Sequence, residues 1–211
     1  MNNYSPIFPM TKRRFVTEIR QDQIVEAALD IVRTGGTRRL SVAAVAAKVG
    51  IVPSAVYRHF RNKGDIVTSV LRLIRSRLDA HFKAVERLEI DAVDMLHRLF
   101  NRHIALIAGN SAIPRIVFSE EVLGGMPEKQ EELYDIIRDV LGRVESIVSH
   151  GQAEGTIRGD ISARDIAVAF FGMIQPAAVI WHISGGEFDL MRHSRSAWRL
   201  FSDSLQIRCG P

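Results

Sequence analysis

The chain is predicted to be all-α, with a small helix-turn-helix head at its N-terminal end and a larger helical body. Three observations predict this. Apolar residues recur at helical spacing through most of the 211 residues. No run in the second half alternates at period two over a strand's length. Glycine pairs and prolines punctuate the chain at intervals that suit helices. With 46% hydrophobic and 25% charged residues, the composition is that of a globular protein able to bury a substantial core. Internal repeats and low-complexity segments are absent.

Residues 1–16 lack periodicity, contain Pro6 and Pro9, and read as a disordered arm carrying Lys12, Arg13 and Arg14. Such an arm either reaches phosphates and a minor groove or is a solvated tail. A first amphipathic helix is expected from Thr17 to Thr34, with Ile24, Ala28 and Ile31 on one face and Gly35-Gly36 ending it. Leu40 fills the corner that follows. Ser41 can cap a second helix carrying Val42, Val45, Ala46 and Val49. Gly50 then supplies the left-handed residue that a reversing helix needs. Pro53 suits the first turn of a third helix, where its missing N–H has no intrahelical partner. Val56 and Phe60 form that helix's inner face, with Tyr57, Arg58 and His59 on the others.

A small residue at Ala46, a turn at Gly50 and a return contact at Val56 are the spacing of a helix-turn-helix, whose second helix can enter a major groove. Charge agrees with that reading. Residues 1–63 hold 11 Lys and Arg against 4 Asp and Glu, whereas the remainder holds 17 against 20. A basic head on a slightly acidic body is the footprint of a chain that meets a polyanion at one end. Tight helical pairs also occur in proteins that never touch DNA, and surface cations are often solvation alone.

The run Gly50-Ile-Val-Pro-Ser-Ala-Val-Tyr57-Arg-His-Phe60-Arg-Asn-Lys63-Gly-Asp-Ile-Val67 closely resembles the DNA-binding domain of the TetR family of bacterial transcriptional regulators. That family's pattern is a glycine turn, then Y-x-H-F, then a lysine opening the next helix. The close match spans roughly Arg20 to Leu71; beyond it, only the layout is similar. The resemblance implies a DNA-binding domain over residues 17–63 and an effector-binding and dimerisation domain over residues 64–211. A linking helix from Asn62-Lys63-Gly64-Asp65 to about Arg87 is expected between them, with Ile66, Val70, Leu73, Ile74, Leu78 and Phe82 as its apolar positions.

Five further helices are expected. They run from Asp91 to about Gly109, Pro114 to about Leu123, and Glu128 to about Ala153, the last closed by Gly151, Gly155 and Gly159. Ser162 caps a fourth, Ala163 to about Ser184, and a fifth follows Gly185-Gly186 and ends near Ile207. The fourth is apolar on nearly every face, so something must cover it on nearly every face. Either its own body does so, or, as the resemblance implies, helices at about 163–184 and 188–207 pair with those of a second copy. Ala169, Gly172 and Ala177 would then permit close approach, and Trp198, Leu200 and Phe201 would add bulk.

The resemblance also assigns roles within the head. Tyr57 and His59 are expected to meet the phosphate backbone. Lys63 and Ser41, each at a helix start, are placed to hold phosphates. Pro53, Ser54, Ala55 and Arg58 occupy the entry of the reading helix, Arg58 facing either a guanine or a phosphate. Two departures stand out: Val52 replaces a serine-like cap, and Ala43 replaces the base-reading arginine of some relatives. In the body the resemblance implies a pocket for a small, partly hydrophobic effector. Its candidate lining is Phe100, His103, Phe118, Met126, Phe171, Gln175, Trp181 and His182, each of which also suits plain core.

No catalytic residue, cofactor or metal site is expected. His97 and His103 lie six apart and so on different helix faces, no H-E-x-x-H or G-x-S-x-G occurs, and no phosphate-cradling glycine loop is present. The lone Cys209 cannot form an internal disulfide, and no basic segment leads into an apolar run near Met1, which fits a reducing cytoplasm. The most apolar stretch, Ile166 to Trp181, is short for a membrane span and contains Gln175 and Pro176. Two functions follow. One is a homodimeric, effector-released regulator, a repressor in the expected direction, on a pseudo-palindromic operator. The other is a helical small-molecule-binding or enzymatic domain whose helix-turn-helix is scaffold.

Overall fold

A computed structural model describes residues 12–124 and 127–207, with side chains over residues 21–124 and 127–207. All the regular elements described are helices. The chain divides into two compact units, between Val67 and Thr68.

In the first unit, α1 runs Lys12–Gly35. It therefore takes in residues 12–16, whose lack of periodicity predicts a disordered arm, so that part of the expectation is corrected. Beyond Pro9 the sequence offers no breaker until Gly35, so helix continues upstream of Thr17. The arm's first 11 residues lie outside the described part. Ile24, Ala28 and Val32, four residues apart, are fully buried, with Ile31 only half so. Gly36, at φ 75°, turns the chain into a single 3-10 turn, Thr37–Arg39, and Leu40 fills the corner at 2% exposure.

Helix α2, Val42–Val49, starts on Ser41, whose Oγ accepts the Ala44 N–H at 3.1 Å. It ends at Gly50, whose φ of 75° favours glycine. There the Gly50 N–H bonds the Ala47 carbonyl at 3.3 Å and the Ile51 N–H bonds that of Ala46 at 3.0 Å, a Schellman closure. Helix α3 is short, Pro53–Tyr57, with Val52 giving no side-chain cap bond. Arg58 and His59 form a turn, and the His59 and Phe60 N–H groups both bond the Val56 carbonyl. Val56 at 0% and Phe60 at 3% exposure are core, as their spacing predicts. Across the pair, Asp30 on α1 takes both Arg33 and Lys48 of α2. Hydrogen bonds from Lys48 and then Arg33 hold its carboxyl below the ordinary aspartate value.

Helix α4, Lys63–Val85, carries the division between the units. It is followed by α5 (Ala92–Gly109), α6 (Ala112–Val117), α7 (Glu120–Leu123), α8 (Pro127–Ala153), α9 (Ala163–Gly172), α10 (Gln175–Ile183) and α11 (Leu190–Leu205). Two expected helices are each split. The one from Pro114 breaks at Phe118-Ser119, where extended Ser119 opens α7 and two glutamates occupy the first turn, a favourable place for negative charge. The one from Ala163 breaks at Met173-Ile174. Pro176 has no N–H to offer the Gly172 carbonyl and its ring would clash there, so it sits instead in the first turn of α10. Gly151 does not end α8 but lies within it, while Gly155, at φ 72°, makes the turn after it.

Helix α8 packs on α5 and α9, and α11 packs on α5 and α10. An aromatic cluster joins three of these helices. Phe100 of α5 and Phe201 of α11 meet Phe170 of α9 edge-on at 6.2 and 5.8 Å, and Trp198 stacks on His97 at 4.5 Å. Trp198 and Phe201, expected as bulk for a second copy, also pack within their own body. Also on α8, Arg143 bonds Asp79 at 2.8 Å and Glu86 at 2.6 Å and lies over the Phe82 ring. By length and composition the stretch Ala163–Ile183 is apolar enough to cross a membrane, but only 33% of its most apolar window is buried.

Candidate nucleic-acid interface and effector cavity

The head's exposed surface gathers around α2 and α3. Ser41, Pro53, Ser54, Tyr57 and Arg58 are exposed, and Ala55 and His59 half-buried. Tyr57, at 54% exposure, and Val52, at 63%, are large apolar groups left in solvent. Lys63 opens α4, at the helix start where the sequence places it. Its ammonium donates to the Thr37 carbonyl at 2.8 Å, tying the start of α4 to the 3-10 turn. Asn62 Oδ1 caps that same helix start through the Asp65 N–H at 3.0 Å, and the Asp65 carboxylate accepts the Arg61 N–H at 2.8 Å. The ordered turn after α3 is thereby fixed from both ends.

In the second unit, α4, α5, α6, α8, α9 and α10 line a partly open apolar cavity of about 70 Å³. His103, Phe118, Phe171 and Gln175, four of the eight expected lining residues, are on its wall. Phe100 is not, being 1% exposed inside the aromatic cluster. Trp181 and His182 lie on α10 away from the lining, and Met126 lies outside the described residues. The rest of the wall includes Ile74, Leu78, Leu106, Leu133, Ile137 and Val140. These recur at the i, i+4 spacing that any core helix face shows, so no sequence signal separates them from core.

None of the lining residues carries a permanent charge, and His103 and Gln175 bring the only polar side chains. Burial pushes the His103 imidazole down to about 4, assisted by the positive potential of His81. His81 is itself lowered, by burial and then Arg102; its Nδ1 is buried without a hydrogen-bond partner. His182 is lowered by burial and then Arg115. At neutral pH the cavity therefore offers a neutral imidazole and an amide in a greasy wall. That arrangement can orient one uncharged polar group on an apolar ligand.

Comparison with known proteins follows the same division. Residues 24–70 match the family described as "Bacterial regulatory proteins, tetR family", and residues 73–204 match "YsiA-like protein, C-terminal region". The fatty acid metabolism regulator protein of Bacillus subtilis is 24% identical over 189 residues, 87% of this chain and 94% of that protein. The HTH-type transcriptional regulator TtgR of Pseudomonas putida is 25% identical over 175 residues, 80% of this chain and 83% of that protein. In structure, the B. subtilis regulator FadR, solved in complex with stearoyl-CoA, superposes with a TM-score of 0.75 at 22% identity, covering 88% of this chain and 99% of that one. The chain belongs to the TetR family of ligand-responsive, DNA-binding transcriptional regulators.

Proposed function

We propose that two copies of this chain bind a pseudo-palindromic operator as a cytoplasmic repressor, and that a long-chain acyl thioester in the body cavity releases it. The observation that carries the effector reading is the cavity's wall, apolar throughout except for His103 and Gln175. An acyl chain needs such a wall, and its carbonyl needs one or two uncharged polar neighbours. The similarity to a fatty acid regulator, and to a structure holding stearoyl-CoA, supports the same class. On the DNA side, the reading rests on exposed Tyr57, Arg58, Ser41, Pro53 and Ser54, with Ala55 and His59 beside them. A ligand that binds the DNA-competent population less tightly than its alternative shifts the protein off its operator.

The second copy is supplied with a surface. Val168 on α9, Ile180 and Ile183 on α10, and Met191 and Leu200 on α11 are 44–74% exposed. A groove between α10 and α11, floored by Gly172, Ala177 and Ala197, runs among them. Selecting bound fragments from the source genome gives the operator. Fluorescence anisotropy on that duplex is then expected to show release by stearoyl-CoA, with CoA alone and stearate alone inactive at equal concentration. Failure of every acyl-CoA length to release DNA, with binding itself intact, would remove the effector class and leave the regulator.

A further inference from the structure

From Ile31 to Gly64 the chain holds seven Lys and Arg and not one Asp or Glu. Two of the seven, Arg33 and Lys48, are held by Asp30. Arg38 and Arg39 are exposed, and neither is in an ion pair among the described residues. They sit on the 3-10 turn immediately before Ser41, the cap of α2.

The turn is held from every side. Gly36 enters it at φ 75°, its carbonyl accepts the Arg39 N–H at 3.2 Å, and buried Leu40 leaves it. The Thr37 carbonyl has two lone pairs, and both are used: by the Leu40 N–H at 3.1 Å and by the Lys63 ammonium at 2.8 Å. Lys63 lies four residues after His59, at the far end of the turn that closes α3. That bond therefore brings the Arg38-Arg39 turn beside the end of the reading helix, across 26 residues of chain.

We propose that Arg38 and Arg39 form a second phosphate clamp on the duplex, at the α2 entrance, and that Lys63 is a positioning residue which locks this clamp through the Thr37 carbonyl. The proposal rests on the DNA-binding reading above. It also supplies what Ala43 removes: the first turn of α2 holds only Val42, Ala43 and Ala44 after its Ser41 cap, so grip at that entrance comes from the turn before it. The partner is the sugar-phosphate backbone of double-stranded DNA, so the clamp strengthens binding to all sequences alike.

The test is a double-mutant cycle read against salt, on the shortest genomic duplex that wild-type dimer binds. Both arginines are exposed, so Arg38→Ala/Arg39→Ala leaves the fold intact, checked by far-ultraviolet dichroism. Four cations per dimer are removed, and the slope of log K against log salt is expected to fall by about 3 to 4. Lys63→Met is expected to lower affinity about tenfold in the wild-type background and less than twofold in the double-alanine background. Lys63→Gln keeps a donor for Thr37 while losing the charge, and is expected to bind more tightly than Lys63→Met. An unchanged slope in the double-alanine protein overturns the clamp. Equal losses for Lys63→Met in both backgrounds, or for Gln and Met alike, overturn the positioning role and make Lys63 an independent contact. Wild-type protein that ignores duplex DNA sinks the parent reading instead, which keeps the two failures apart.

Discussion

At His103 the protein keeps an imidazole in an apolar wall, where it remains neutral well below the pH at which a free histidine charges. The sign follows directly. Between about pH 6.5 and 4 the unfolded chain binds a proton at this site and the folded chain does not, so stability falls as pH falls through that window. The loss reaches at most about 3 kcal/mol, reduced by whatever solvent the half-buried ring retains. His103→Gln is expected to flatten the dependence of the urea midpoint on pH between 7 and 4. His81 and His182, also lowered by burial, maintain a residual slope of the same sign. An identical pH profile for the variant would show that the ring is not desolvated. Sequence alone placed His103 among the lining residues but equally placed Phe100 there. What separates them is whether a helix face meets a void or another aromatic ring, and Phe100 meets Phe170. Lys63 was legible as important because it opens α4. Its actual bond, to a carbonyl 26 residues earlier, depends on how the head closes and leaves no local mark.

At the scale of elements, α8 approaches α5 closely because Gly151 has no side chain. A Cβ at that position would stand 2.7 Å from the Ala92 Cβ and 2.8 Å from the Ile157 Cδ1. Alanine itself has no rotamer with which to yield. Gly151→Ala is therefore expected to destabilise the protein by about 1–3 kcal/mol through overpacking, less about 1 kcal/mol of helix propensity regained. Thermal unfolding against Gly142→Ala provides the control, since a Cβ at Gly142, in the same helix, meets nothing within 4 Å. Gly142→Ala is expected to be neutral or stabilising, and equal behaviour of the two would exclude close approach as the reason for Gly151. Helix boundaries were legible where a cap or a left-handed glycine marks them, as at Ser41, Gly50, Asp91 and Ser162. They were not legible at Met173-Ile174, where the mark lies three residues downstream in Pro176, nor at Lys12, where nothing marks a start. Apolar periodicity passes unbroken over such joints, because both helices bury the same face.

For the whole molecule, the question is what covers α9 to α11. The chain buries Phe170, Ala177 and Phe201 within its own body but leaves Ile183 and Leu200 each 74% exposed. A soluble chain tolerates isolated apolar side chains on its surface. Five of them on three consecutive helices, beside a groove floored by small residues, is a patch that water does not stabilise. A symmetric pairing of two such patches removes both at once and needs no second kind of surface. It also explains why a head with a five-residue reading helix suffices: two heads on one duplex share a single association cost, so modest half-site affinity multiplies. Ile180→Glu/Leu200→Glu places charge where the apolar side chains already face solvent in the single chain, so helix content and unfolding midpoint at low concentration are expected to change little. The paired form would bury those carboxylates, and its dissociation constant is expected to rise at least a hundredfold by sedimentation velocity. Operator affinity at nanomolar protein should fall with it, and should recover as protein concentration is raised into the range where pairs re-form. A variant that stays paired would place the interface elsewhere; one that is single-chained yet binds the operator with wild-type affinity would remove the need for pairing altogether.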